Sequence, residues 1–211
     1  MIVILMGAPG AGKGTQAEHL KKDKGFLKIS TGDLLRREIA AKTELGKRVE
    51  DIMSRGALVS DEILLQVMKK ELDLSHGRNL VLDGFPRTVP QAEWLSSVAK
   101  ISGVIHIDAD REELTSRIAG RLVCTACEAV FHISRKPPKI ANQCDKCGGA
   151  LTTREDDSRE RVLHRLDVYH RQTEPVLEFY RENALYFRID GNGVESSVSG
   201  QIDMLLEKIG R

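Results

Sequence analysis

Aromatic residues make up only 4% of this 211-residue chain, with a single Trp, so its core must be built from Leu, Ile and Val. Net charge is nearly absent too. The 32 Lys and Arg against 31 Asp and Glu leave +1, which argues against a broad field for gripping nucleic acid. Any bound anion must then be met by locally placed Arg and Lys. Long apolar runs are missing: Met1 to Met6 is hydrophobic, but Gly7 ends it. A membrane span needs about 20 apolar residues, and a secretory leader needs a longer run behind a cationic start. The expectation is a soluble, cytoplasmic protein without membrane or nucleic-acid partners. Neither an internal repeat nor a low-complexity tract is present. Cysteine is scarce, four residues in two close pairs, which in a reducing compartment suggests metal before disulfide.

What remains is globular composition, 41% hydrophobic and 30% charged, long enough for one α/β domain with a small insertion or two modest domains. Short aliphatic runs predict strands at Ile2–Met6, Leu80–Leu82, Gly103–Asp108 and Tyr186–Asp190. Helical patterns separate them. One opens at Asp110, where Glu113 three residues on predicts a capping box, and another spans about residues 159–183. Strands alternating with helices predict a doubly wound α/β fold, its parallel sheet covered on both faces. Two regions interrupt this rhythm. Residues of about 31–60 read as a helical insertion. Residues of about 122–158 carry all four Cys and are too few for a core of their own, so they need a staple.

The segment Gly7-Ala8-Pro9-Gly10-Ala11-Gly12-Lys13-Gly14-Thr15 follows the first strand and opens a helix. Backbone N–H groups around such a turn converge on clustered negative charge, and Lys13 adds a mobile cation for the outer phosphates. Gly14 takes the usual hydroxyl position and Thr15 follows one residue later. A ligand-free turn is the bland alternative, but strand, turn, lysine and helix fall in the order phosphate binding requires. A dinucleotide site is excluded because the G-x-G-x-x-G spacing is missing. Asp83, ending the second strand, is placed like the acid that orders magnesium in phosphate-loop proteins.

Further strings narrow the reading: Ser30-Thr31-Gly32-Asp33-Leu34-Leu35-Arg36, Leu58-Val59, Asp83-Gly84-Phe85-Pro86-Arg87-Thr88 with Gln91, Gly120-Arg121, Thr153-Arg154-Glu155-Asp156-Asp157 and Tyr169-His170-Arg171-Gln172-Thr173. With the phosphate loop, and over the whole chain, they resemble the adenylate kinase family. The resemblance implies a phosphate-loop kinase fold that moves the terminal phosphoryl group of Mg²⁺-ATP onto AMP; the lack of a spare apolar helix stripe suggests a monomer. It divides the chain into a core (1–30, 61–121, 159–211), an AMP-binding insertion (31–60) and a lid (122–158). It implies that Thr31, Ala57, Leu58, Val59, Gly84, Phe85, Pro86 and Gln91 line the AMP site. Arg36 and Arg87 would hold the AMP phosphate, with Arg121, Arg154 and Arg165 around the phosphates in transfer. Gly10, Ala11, Gly12, Lys13, Gly14 and Thr15 would hold ATP, with Arg117, Val130, Phe131 and Gly193 towards its base. Taken alone, any of these arginines reads as a solvated surface residue, and Arg117 stays balanced between the two readings.

The acceptor is already a phosphate dianion at neutral pH, so no general base is required. The obstacle is bringing two polyanions together, which guanidinium forks and Mg²⁺ overcome. Asp156 and Asp157 read as lid-anchoring carboxylates or as helix-start acids. His106 and Trp94 read as structural.

Cys124-x-x-Cys127 and Cys144-x-x-Cys147 match the spacing of a four-thiolate zinc site, closed and therefore structural. Disulfides or another thiophilic metal are the alternatives, and His132 is a conceivable substitute ligand. Many relatives carry Arg-Arg where this chain has Arg121-Leu122. Three rivals fit less well. A pyrimidine-nucleotide kinase typically differs at the Thr31 and Thr88 positions. A regulatory switch would need an Asn-Lys-x-Asp motif, which the chain lacks. A nucleic-acid ribbon would show more aromatics near its cysteines than Phe131.

Overall fold

The computed structural model describes residues 1–183 and 185–210. Ala184 and Arg211, within the expected core span, lie outside the described residues. Strand β1 (Ile2–Met6) leads through the glycine turn into α1 (Lys13–Asp23), and β2 (Leu27–Ser30) runs straight into α2 (Thr31–Ala40). Then come α3 (Glu44–Ser54), α4 (Asp61–Leu74), β3 (Leu80–Asp83), α5 (Val89–Val98), β4 (Gly103–Asp108) and α6 (Arg111–Ala119). Three short strands follow, β5 (Arg121–Cys124), β6 (Val130–His132) and β7 (Leu151–Thr152). Helix α7 (Arg159–Val168) passes through a π-helical turn at Tyr169–Thr173 into α8 (Glu174–Glu182), before β8 (Tyr186–Asp190) and α9 (Glu195–Ile209).

Five strands form one parallel sheet in the order β2-β3-β1-β4-β8. Side chains alternate across it, so each strand feeds two cores. Val3 and Leu5 pack on one face with Leu20, Ile118, Leu166 and Ile202. Ile4 and Met6 pack on the other with Leu35, Val49, Met68, Leu95 and Tyr180. Both faces are covered, as a parallel sheet requires. The chain reverses its winding at β1, which neighbours β3 and β4, and the crevice beyond the carboxyl ends of these strands is where ligands bind in such sheets.

All four expected strands are present, and 31–54 holds helices alone. Two features differ from expectation. Strand β2 was not foreseen. The predicted capping box also fails: Asp110 makes no side-chain cap hydrogen bond, its N–H donates to Asn192 Oδ1 (2.9 Å) and not to Glu113, and the Glu113 carboxylate pairs with Arg117 and Arg135. A charged partner outcompetes a backbone N–H.

Segment 121–152 forms a separate antiparallel sheet in the order β6-β5-β7. Its apolar content is Cys124, Ala129, Phe131, Cys144 and Leu151, with Leu122 packed against them. Leu122 lies opposite Phe131 in the ladder, which explains why an apolar residue suits this position. No described helix is long and apolar enough to cross a membrane.

Candidate active site and metal centre

The phosphate loop is shaped by glycine. Gly10 and Gly12 adopt φ of 88° and 98°, a region that L side chains rarely enter. Gly12 caps α1, so the first N–H groups of that helix point into the crevice without intrahelical partners. Lys13 folds back over the loop, its Nζ donating to the carbonyls of Gly7 (2.7 Å) and Ala8 (3.0 Å). Burial outweighs the attraction of Asp83 and pushes this ammonium down to about 8, with Arg87, Arg165 and Arg121 lowering it further.

Asp83 ends β3, beside Lys13. A Cβ on Gly14 would lie 3.4 Å from its Oδ2, so the missing side chain at Gly14 keeps the space above this carboxylate open. Among the described residues the Asp83 carboxylate makes no hydrogen bond and no ion pair within 4.0 Å. A free, half-buried carboxylate beside a phosphate cradle fits a divalent cation carried with the nucleotide.

Arginines gather from distant segments. Arg87 donates from Nε to the Gly84 carbonyl (2.8 Å), and burial, with Arg165 nearby, lowers it to about 10. Arg154 is also held down to about 10 by burial and by Arg36 and Arg121, and its Nε is buried without a hydrogen-bond partner. Arg165 is lowered by burial as well. Asp157, its side chain 4% exposed, binds both Arg121 and Arg165, while Asp156 binds Arg165. The anchoring reading of these two acids therefore matches the contacts: they hold the Arg121 and Arg165 guanidiniums in place.

On the opposite wall Arg36 pairs with Asp33, which also holds Lys28 at 3.1 Å. This organising role of Asp33 escaped the sequence reading, although its i,i+3 spacing to Arg36 signals such a pair. Thr31 Oγ1 donates to the Gly84 carbonyl (2.8 Å). Leu58, Gly84, Pro86 and Arg87 line the cavity above β1, whereas Val59 and Phe85 are buried in the sheet's core. Ala57 is half-buried. Gln91 is fully buried: its Oε1 accepts from Arg87 N (2.8 Å), and its Nε2 donates to Asp61 (2.6 Å). Asp61 also accepts from Thr88. Asp61 carried no motif and was missed.

Towards β8, Arg117 donates to the carbonyls of Ala11 (3.3 Å), Gly191 (2.7 Å) and Gly193 (3.2 Å). Val130 is exposed and Phe131 is buried in the lid cluster. Tyr169 also lines the central cavity and was not singled out for it. Its hydroxyl lies 3.4 Å from His106 Nε2, and Tyr186 holds the other ring nitrogen at 2.8 Å. His106 and Trp94, the latter edge-on to Phe85, are structural as expected.

The central cavity measures about 90 Å³, far below the roughly 300–1,000 Å³ of a ligand pocket. A larger space of about 700 Å³ lies between α6 and α7 and contains no phosphate-loop residue.

In the lid the four cysteine Sγ atoms all lie within 4.8 Å of one another. Cys124–Cys147 and Cys127–Cys144 are 3.5 and 3.6 Å apart, too far for a disulfide at about 2.05 Å. They are close to the ~3.8 Å edge of a zinc–thiolate tetrahedron. Burial opposes ionisation of Cys124, but the N–H groups of Cys127 and Ala126 and the neighbouring thiols lower its pKa, while that of Cys127 is raised. The donor set therefore fits a thiophilic cation. His132 is not part of it: its Nε2 faces the Ser116 carbonyl, and its Nδ1 accepts from the N–H groups of Ser134 and Arg135.

Lys13, Arg87 and Arg165 line one crevice at the phosphate loop, and the sheet order places it at the switch point. That is the organisation of a phosphate-loop nucleoside-monophosphate kinase. Comparison with known proteins narrows the class. A family model described as adenylate kinase matches residues 5–185. Relatives named adenylate kinase include one from Caldicellulosiruptor saccharolyticus, 47% identical over 88% of this chain and 89% of its own. Others come from Archaeoglobus fulgidus, 42% identical over 99% of both chains, and Streptomyces avermitilis, 45% identical over 97% of both. The chain belongs to the adenylate kinase family.

Proposed function

We propose that the chain transfers the terminal phosphoryl group of ATP to AMP, reversibly, giving two ADP. One observation carries the reading: Lys13, Arg87 and Arg165, from three separate segments, line one crevice, burial lowers the pKa of each, and Arg154, close to Arg36 and Arg121, adds a further buried cation, so the crevice suits polyanions. In the transfer the bond from the γ-phosphorus to the β–γ bridging oxygen breaks. A new bond forms to an oxygen of the AMP phosphate, and ADP leaves. That acceptor oxygen is already largely ionised at neutral pH, which is why the site needs no base.

Gly10 to Thr15 cradle the ATP phosphates, with Lys13 at the group in flight. Arg87 and Arg36 grip the AMP phosphate, beside Thr31, Leu58 and Gln91. Arg121, Arg154 and Arg165 spread over the transferring group, where one such arginine is worth roughly 10³–10⁵ in rate in related enzymes. Asp83 would help hold Mg²⁺ arriving with ATP, which supplies charge neutralisation between the phosphates. The four cysteines would hold Zn²⁺ as a structural staple. In this reading 31–60 is the AMP-binding insertion and 122–158 the lid, closing on the core of 1–30, 61–121 and 159–211. The lid excludes water and delivers its arginines together. The enzyme works as a cytoplasmic monomer.

The test is coupled-assay transfer from Mg²⁺-ATP to AMP, GMP, CMP and UMP, with Lys13→Ala alongside. We expect ADP formation with AMP alone, abolished in the variant. Preference for a pyrimidine acceptor would overturn the reading of Thr31 and Gln91, and transfer to no acceptor would overturn the kinase reading itself.

A further inference from the structure

Most of the site's cations serve phosphates, but two lid cations do not face the crevice. Arg135 forms a fork on Glu113 of α6, pairing with Oε1 and, through Nη2, with Oε2 at 2.7 Å; Nη2 also reaches Ser116 Oγ at 3.3 Å. The same carboxylate accepts from Arg117 Nε at 2.8 Å. Arg117 in turn ties the phosphate loop at Ala11 to the Gly191 and Gly193 carbonyls. One residue along the lid, Lys136 reaches Glu195 at 2.9 Å, at the start of α9.

Both lid contacts therefore fall on the β4–β8 side of the phosphate loop. The acceptor cations Arg36 and Arg87 stand on the β2–β3 side. In-line transfer brings two nucleotides to the loop from opposite directions, and the nucleoside end of the donor must then leave past Arg117. The two ion pairs are unequal. Lys136 and Glu195 are about half exposed, a setting where a pair contributes little. Glu113 is only 20% exposed, engages two guanidiniums and has one bidentate partner. Arg135 is the main cause holding its carboxyl below the usual range.

We propose that Glu113 is a positioning residue that couples lid closure to the donor-nucleoside end of the site, by binding the lid's Arg135 and the core's Arg117 at once. The inference rests on the kinase reading, and on the donor entering along the β4–β8 side. ATP arriving against Arg117 meets a lid already anchored by the same carboxylate. Losing that bridge loosens the lid and weakens ATP, while AMP on the far wall is untouched.

The experiment compares Glu113→Gln, Arg135→Ala and their double variant with Lys136→Ala, measuring kcat and separate KM values for ATP and AMP. Hydrogen exchange of residues 130–136 in the substrate-free protein is followed in parallel. Each single variant should raise KM for ATP about fivefold, with KM for AMP unchanged, and should speed exchange at the lid tip. The double variant should match Glu113→Gln, since that single already removes both of the carboxylate's partners, and Lys136→Ala should change little. Equal effects on both substrates, additive singles or unchanged exchange would overturn the proposal. A parent chain that transfers phosphate to no acceptor sinks the kinase reading instead, and the exchange data then decide separately whether Glu113 holds the lid.

Discussion

Lys13 shows how far a single residue can be set against its own charge. Its ammonium is enclosed by carbonyls and by neighbours of like sign, and burial brings it down to about 8 in the empty site. An incoming triphosphate reverses that balance, since an opposite charge at contact favours the protonated form. In the folded, empty protein Lys13 has lost most of its charge above about pH 8, whereas the unfolded chain keeps it to the ordinary value of 10.5. Between these limits the unfolded state binds more protons, so the stability contribution of Lys13 rises with pH. Nucleotide affinity must move the opposite way. ATP binding should weaken as pH climbs past about 8, and at pH 9 it should take up close to one proton. Calorimetry in two buffers of different ionisation enthalpy reads this directly. Lys13→Gln should abolish the uptake, and a parent protein that binds ATP without uptake would show that another group carries the charge.

The helical insertion is governed by one close approach between elements. Gly46 of α3 lies against α2 so tightly that a Cβ there would come within 2.2 Å of the Glu38 carbonyl oxygen. Backbone gives way less easily than a side chain, so Gly46→Ala must push the helices apart. The expected loss is about 3 kcal/mol by urea unfolding. KM for AMP should rise and KM for ATP hold, because α2 carries Thr31 and Arg36. Equal stability and an unchanged KM for AMP would mean that the insertion does not form part of the acceptor site. The need for glycine at this position is invisible in sequence, being set by the distance between two helices. Strand β2 escaped for a related reason. It is four residues long, lies at the sheet's edge, and carries Lys28, which turns from solvent to pair with Asp33 and Glu18. Strands β1, β3 and β4 were legible because burial on both faces leaves an apolar run; β8, an edge strand like β2, was legible through Tyr186, Phe187 and Ile189, residues that favour strands. The π-helical turn adds too little to the 3.6-residue period to stand out.

At the scale of the molecule, the phosphate loop and the cysteine spacing were readable because each is local. The arginine cluster was not, because its members come from separate segments and only family likeness joined them. The lid now raises a question of what orders it. Its apolar cluster is five residues plus Leu122, two of them cysteines and only Phe131 aromatic, and β7 is two residues long. Ordering each residue costs roughly 1–2 kcal/mol in backbone entropy, which a cluster of this size leaves largely uncovered at about 25 cal/mol per Å². The sheet domain has two large cores that share nothing with the lid cluster. Removing the Zn²⁺ proposed for the four cysteines should therefore act locally. Chelation, with metal loss confirmed, should speed hydrogen exchange across 121–152, lower the melting temperature and leave a cooperative sheet transition. Transfer should fall steeply, because Arg121 opens that segment and Arg154 follows it, while inorganic triphosphate still binds the loop. Unchanged melting and exchange would show that the cysteines are not the lid's staple. Collapse of the sheet in the same step would show that lid and core fold as one unit, although their apolar clusters do not meet.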